Sequence, residues 1–150
     1  MTLSREELLA RIPQQEPFRF VDEILAVDDD SIRAAYTWKP GADFYRGHFP
    51  GNPVTPGVLL IESMAQAAVV AHGIWLLERE GVDPVAEKLL TVFTDAQVEF
   101  SGLVRPGERV WIDGRKRFFR RRKLSSEVSM RLADGTLVCS GVLSGMGVVP

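Results

Sequence analysis

Residues 47–80 read GHFPGNPVTPGVLLIESMAQAAVVAHGIWLLERE, and the fold turns on the part that begins at Pro56. Between Arg46 and Glu78 the only formally charged side chain, histidines aside, is Glu62. Thr55 can cap a helix with its hydroxyl, and Pro56 suits the first helical position, where a missing N–H costs nothing. Gly81 and Pro84 close the segment, so the spacing predicts a helix from Pro56 to about Glu80. Its apolar part is about 20 residues long, enough for a membrane span. Yet Glu62, Gln66 and His72 lie inside it, prolines stand at its entrance, and no other segment has that character. A central helix enclosed by protein is the expectation.

On either side of this helix the signals change. Ser4 and Glu7 form a capping box, which predicts a short helix over about residues 5–11, ended by Pro13. Strands are expected over 18–27 and 31–38, with Asp28-Asp29-Asp30 as the turn. After the helix the period becomes two. In 91–100, Val92, Thr94, Ala96, Val98 and Phe100 share one face, Thr91, Asp95, Gln97 and Glu99 the other, and Phe93 breaks the alternation. Residues 123–132 alternate cleanly, 109–118 and 136–148 read similarly, and Asp134-Gly135 is a hairpin turn. The order implies an α+β fold, one antiparallel sheet wrapped around a long central helix. That helix is apolar nearly all round, so a second copy of the chain is expected to cover what the sheet leaves open. Trp75, Trp111 and the Phe and Met residues are expected in the core, and His72 as structural, at the interface between copies.

The chain has 150 residues, 45% of them hydrophobic and 25% charged, as expected for a single domain over residues 1–150. A net charge of −2 argues against a wholly basic nucleic-acid binder. No basic n-region followed by an apolar stretch opens the sequence, so no secretory signal is expected. One cysteine, Cys139, excludes a disulfide within the chain and fits a cytoplasmic location. It reads as a small apolar core residue rather than a catalytic thiol. No Cys/His cluster has metal-ligand spacing, so no metal is expected.

Glu62 and Gln66 stand at i and i+4 and so share a helix face. A buried carboxylate is costly unless paired or used, and burial raises its pKa. Two readings stay open: a structural acid paired with an arginine or a loop, or a general acid that holds its proton near neutrality. His48 sits between glycines in a loop stiffened by Pro50, Pro53 and Pro56. It reads either as a hydrogen-bonded loop residue or as a base, since its ordinary pKa of about 6.5 suits base catalysis. Gly57 and Val58 present free N–H groups at the positive end of the helix, where an oxyanion is stabilised. With no side chain on Gly57, a substrate can come close.

The run GHFPGNPVTPGVLLIESMAQ closely resembles the active-site segment of the β-hydroxyacyl-acyl carrier protein dehydratases, the FabA/FabZ family, and Pro17-Phe18 and Val21-Asp22 resemble that family's PFxxVD entry to the fold. The resemblance implies a hot-dog fold built as a homodimer or an oligomer of dimers. It makes His48 the catalytic histidine and Glu62 the catalytic acid, meeting across the dimer interface. Gly57 and Val58 would bind the thioester oxygen, and Gln66, Phe49 and Pro56 would support the site. The substrate would be a 3-hydroxyacyl thioester carried on the phosphopantetheine of acyl carrier protein, with no metal, redox cofactor, nucleic acid or membrane involved. A hot-dog thioesterase and a non-catalytic carrier-binding subunit are the competing readings.

The chain departs from both subfamilies. Glu62 is FabZ-like, where FabA-like proteins carry aspartate; KRFFRRRKLSSEVSMRLADGTLVCSG resembles the FabA C-terminal half. Pro13-Gln14-Gln15-Glu16-Pro17-Phe18 stands where FabZ-like sequences read P-H-R-x-P-F, and Thr55 replaces a usual methionine. The glutamate leads to an expectation of dehydration without double-bond isomerisation. The basic run from Arg115 to Lys123 is compatible with a nucleic-acid patch, a solvated hairpin or a dock for an acidic carrier. The resemblance points to the dock, through Arg117, Arg120, Arg121, Arg122 and Lys123.

Overall fold

The computed structural model describes residues 2–150. Helix α1 (Arg5–Ala10) starts at the expected capping box: Ser4 Oγ accepts from the Glu7 N–H at 3.0 Å and Glu7 accepts from the Ser4 N–H at 2.8 Å. Strands β1 (Glu23–Val27) and β2 (Ser31–Thr37) follow, then helix α2 (Gly57–Arg79) and strands β3 (Leu90–Phe100), β4 (Arg109–Arg120), β5 (Lys123–Leu132) and β6 (Leu137–Val148). All pairings are antiparallel, in the order β1-β2-β4-β5-β6-β3. The sheet wraps around α2, as the hot-dog arrangement requires. Residues 18–22, read as part of the first strand, instead run irregularly against α2.

The helix lies unusually close to the sheet because both surfaces carry small residues. Ala67, Ala68 and Ala71 are fully buried. A Cβ on Gly114 of β4 would stand 2.6 Å from the Ala68 Cβ and 3.2 Å from its Cα, and one on Gly145 of β6 would stand 2.7 Å from Val69. Over the same stretch, Gln66–Ala71, the helix takes a π turn. Ser126 Oγ of β5 donates to the Ala68 carbonyl there, at 3.2 Å. The C-terminus is a Schellman cap: Val82 N–H bonds the Leu77 carbonyl and Gly81 N–H the Glu78 carbonyl, with Gly81 at φ 82°.

The other side of α2 is covered in large part by the chain's own N-terminal segment rather than left wholly to a second copy. Leu8, Ile12, Phe20 and Val21 join the same buried cluster, and Arg11 pairs with Glu78. Phe20 stacks on Trp38 with ring centroids 5.3 Å apart, and Tyr36 meets Trp38 edge-on.

Several expectations are corrected. Thr55 does not cap α2; Pro56 occupies the cap position, and the Thr55 hydroxyl bonds the buried Tyr45 hydroxyl at 2.7 Å. Trp111 is half-buried on the outer face, beneath the Arg109 guanidinium and opposite the exposed Arg131 of β5. His72 is buried within the chain and bonds the Asp28 carbonyl at 2.8 Å through Nε2. In β3 a bulge between Phe93 and Asp95 shifts the alternation. Phe93 pairs with Gly145 and so turns toward α2 with Thr91, while Ala96 opposite Leu143 keeps the core side beyond the bulge. The broken alternation at Phe93 was the mark of that bulge.

Strand β3 ends the sheet, and its outer edge has no partner among the described residues. Leu90, Val92, Phe93 and Phe100 on it are all more than 40% exposed. For the helix–sheet contact, Gly114→Ala is expected to destabilise the fold by about 1–3 kcal/mol, because the Ala68 backbone cannot give way. Thermal unfolding would read this as a Tm several degrees lower.

Candidate active site

The loop before α2 is built by its prolines and glycines. Pro50 and Gly51 are the central residues of a type II turn: Asn52 N–H bonds the Phe49 carbonyl at 2.8 Å, and Gly51 has the required positive φ, 74°. Val54 N–H then bonds the His48 carbonyl at 2.9 Å, and Thr55 N–H bonds the Val104 carbonyl at 2.8 Å. The His48 ring is half-buried and stacks on Phe49 at 4.1 Å. Its Nδ1 lies 2.7 Å from the Val54 carbonyl. A carbonyl only accepts, so Nδ1 carries the proton and the neutral ring keeps a lone pair on Nε2. A backbone group thereby fixes one tautomer of the ring.

Glu62 projects from the second turn of α2 and is half-buried. Burial pushes its carboxyl pKa up, and the hydrogen bond from the Gln66 amide partly offsets this. Gln66 is itself fully buried with every contact used. Its Nε2 donates to Glu62 at 3.0 Å and to the Phe18 carbonyl at 2.7 Å, and its Oε1 accepts from the Phe20 N–H at 2.8 Å. Ser63 adds a bond to the Phe20 carbonyl at 2.7 Å. Glu62 thus meets an amide, not an arginine.

Glu62 opens onto a small cleft of about 50 Å³ lined by Gln14, Ala65, Thr91 and Phe93. Through Val69, Thr91 and Gly145 the cleft adjoins a larger apolar cavity of about 390 Å³. That cavity runs between Ile74 and Leu77 of α2 and Leu89, Phe119 and Leu124.

At the head of α2 the Gly57 and Val58 N–H groups meet no acceptor among the described residues, while Leu59 and Leu60 both bond the Pro56 carbonyl. The space beside Gly57 is not open, however. The Phe100 ring fills it, and a Cβ there would stand 3.1 Å from the ring.

Within one chain His48 and Glu62 are not joined: no hydrogen bond or ion pair links them among the described residues. Gly57 touches Phe100 at the end of β3, whereas the Glu62 cleft touches Thr91 and Phe93 near its start. The basic turn lies at that start too. Arg121 and Arg122 have φ of 51° and 62°; Arg122 pairs with Glu87 at 2.8 Å and bonds Gly147. Lys123 lies 3.7 Å from Asp95, Arg117 bonds Ser125 at 3.5 Å, and Arg120 lies over the Phe118 ring. Arg120 and Arg121 are exposed and meet no carboxylate among the described residues.

The comparisons with known proteins agree with this geometry. The model of the FabA-like domain matches residues 12–142. The chain belongs to the FabA-like family. A 3-hydroxyacyl-[acyl-carrier-protein] dehydratase FabZ of Shewanella frigidimarina is 31% identical over 140 residues, 93% of this chain and 88% of its own. The FabZ of Streptococcus pyogenes is 34% identical over 92% of this chain and 94% of its own. Among solved structures, the dehydratase heterocomplex ApeI:P from Xenorhabdus doucetiae superposes with a TM-score of 0.75 at 18% identity, covering 93% of this chain and 90% of its own. A thioesterase from Haemophilus influenzae reaches 0.68 at 17% identity over 99% and 93%. Likeness at that identity shows the hot-dog fold that this FabA-like chain shares with both.

Sequence reasoning did not find the Val54 carbonyl, a backbone group with no residue signature. Nor did it find Gln14 in the Glu62 cleft, where the one signal was the departure from P-H-R-x-P-F. Replacing Gln66 by leucine leaves the Phe20 N–H and Phe18 carbonyl unpaired in the interior. It is expected to cost about 2 kcal/mol or more, read as a lower midpoint in chemical denaturation.

Proposed function

We propose that this protein dehydrates 3-hydroxyacyl-acyl carrier protein thioesters to trans-2-enoyl thioesters in fatty-acid biosynthesis or a related pathway. One observation carries the reading: His48 is held by the Val54 carbonyl with Nε2 free as a base, in a chain whose other candidate, Glu62, is kept toward its acid form by burial. His48 Nε2 takes the acidic α-proton. Enolate charge builds on the thioester oxygen and is met by the Gly57 and Val58 N–H groups at the positive end of α2. Glu62, positioned by Gln66, gives its proton to the departing β-hydroxyl. Phe49 stacks on the base, and Pro56 fixes the start of the helix. The chemistry draws on side chains and backbone, with the acyl group delivered on the carrier's phosphopantetheine.

The base and the acid come from different copies in this reading. Strand β3 has eleven residues, so its ends lie about 33 Å apart. Antiparallel pairing of β3 with its own copy places the start of one strand beside the end of the other. Glu62 and the basic turn lie near the start; Phe100 lies near the end, against Gly57, which follows the His48 loop. A dimer formed on this edge therefore sets Glu62 against the partner's His48, with the basic turn close to the shared site. The exposed Arg120 and Arg121, with Arg117, Arg122 and Lys123 around them, then steer an acidic carrier. The cavity beyond the Glu62 cleft takes the acyl tail. The single cysteine is buried and unpaired, which suits the cytoplasm. A thioesterase reading is weaker, since the relatives that cover most of the chain at 31–34% identity are dehydratases.

The direct test follows enoyl absorbance with a carrier-bound or crotonyl thioester while free thiol is assayed in parallel. Hydration and dehydration without thiol release are expected; thiol release instead would make the protein a thioesterase. His48→Ala and Glu62→Gln should each lower turnover about 100-fold or more. Dehydration needs protonated Glu62, so kcat/KM should fall as pH rises through its raised pKa. Arg121→Glu should raise KM for the carrier-bound substrate and flatten its salt dependence, with small thioesters unaffected.

A further inference from the structure

Gln14 is the one polar side chain of the Glu62 cleft with a buried oxygen that finds no donor. Its Oε1 is buried and meets no hydrogen-bond partner among the described residues, yet Gln14 lines the same cleft as Glu62 and Thr91. A buried carbonyl oxygen in that state is costly and calls for a partner from outside the chain. At about 50 Å³ the cleft accommodates a hydroxyl group or a water molecule.

The backbone of Gln14 is held firmly over this space. Arg19 gathers three carbonyls at the end of α1: Nη2 donates to Leu9 at 2.6 Å and Ile12 at 2.9 Å, and Nε donates to Gln14 at 3.1 Å. The anchor fixes where the side chain starts, and the side chain lines the cleft. No described residue hydrogen-bonds its oxygen.

We propose that Gln14 Oε1 accepts the hydrogen of the substrate's β-hydroxyl, which turns a hydroxyl lone pair toward the Glu62 proton. A hydroxyl has one hydrogen to donate, and two acceptors in the cleft compete for it once Glu62 ionises. With Gln14 taking that hydrogen, the oxygen presents a lone pair to the protonated acid. The α-C–H electron pair becomes the C=C bond as His48 takes the proton. The β-C–O bond breaks with its pair on oxygen, and that oxygen takes the Glu62 proton and leaves as water. The new water has two hydrogens, one for the Glu62 carboxylate and one for Gln14 Oε1. In the hydration direction the same two acceptors orient the attacking water. Gln14 is thus a substrate-contacting residue that discriminates for the hydroxylated thioester.

This role rests on the dehydratase reading, and the test separates the two. Gln14→Met and Gln14→Leu keep the reach of the side chain and remove the acceptor. Both should lower kcat/KM for dehydration about tenfold, the usual weight of one hydrogen bond. On a His48→Ala background, where bound substrate persists, they should weaken binding of the 3-hydroxyacyl thioester and leave the saturated acyl thioester of equal length unchanged. A structural role would move both ligands together, and that result, or no change in either, overturns the role of Gln14 alone. Absence of any turnover in the wild-type protein overturns the dehydratase reading, and the role with it.

Discussion

The contact between Ala68 on the helix and Gly114 on the sheet leaves no room for even one more methyl group, and the position of every functional group on α2 follows from it. A helix that runs so near a sheet cannot carry large residues on the facing side, which explains the small residues through Ala65, Ala67, Ala68 and Ala71. Close approach also constrains the helix. The π turn at Gln66–Ala71 falls where the contact is tightest, and its Ala68 carbonyl accepts from the Ser126 hydroxyl. The turn begins at Gln66, one turn after Glu62. Packing thereby sets the angle at which the acid and its amide partner leave the helix, while the first two turns of α2 remain a regular helix with free N–H groups at its head.

His48 and Glu62 are held by opposite electrostatic devices. His48 is kept in one tautomer by a backbone carbonyl, a neutral acceptor that favours the donor at Nδ1 without adding charge. A carboxylate in the same place would favour the imidazolium and blunt the base. Glu62 is kept toward its protonated form by loss of solvent, tempered by an amide that gives directional hold without a full positive charge. An arginine at that position would pull the carboxyl down and favour the ionised form. Both groups are thus positioned by uncharged partners, and the Glu62 carboxyl is shifted by burial rather than by ion pairing.

Much of this was legible in the sequence because period and punctuation are local signals. The capping box at Ser4 and Glu7, the hairpin at Asp134-Gly135 and the ends of α2 at Pro56 and Gly81 each state a backbone geometry that few other residues tolerate. What was not legible depends on tertiary partners. Thr55 has the chemistry of a cap, but Tyr45 claims its hydroxyl. Trp111 is large and apolar, yet register with the exposed Arg131 puts it outside. Phe93 broke the alternation, and only pairing with Gly145 shows that a bulge turns it toward Glu62. In the site itself His48 and Glu62 stood out by residue type, whereas Gln14 is ordinary until it is found lining the Glu62 cleft with a buried, unpartnered oxygen. The Gly57 face that looked open to substrate is covered by Phe100, a contact between residues 43 positions apart that no local pattern carries.

The free edge of β3 connects these observations. An exposed strand of eleven residues bearing Leu90, Val92, Phe93 and Phe100 is a template for further pairing, and soluble proteins normally blunt such edges with charge or cover them. Here its two ends also carry the two halves of the proposed chemistry: Phe100 lies on Gly57 at one end, and Phe93 lines the Glu62 cleft at the other. Glu62 stands in the second turn of α2 and Gly57 at its head, so the two differ mainly in which part of β3 they meet. Covering the edge with an antiparallel copy would remove the aggregation hazard and, on the proposed reading, would complete two sites by the same contact. On that reading the exposed apolar strand is not a weakness tolerated beside the site but the reason that acid and base can be held apart until the fold is complete.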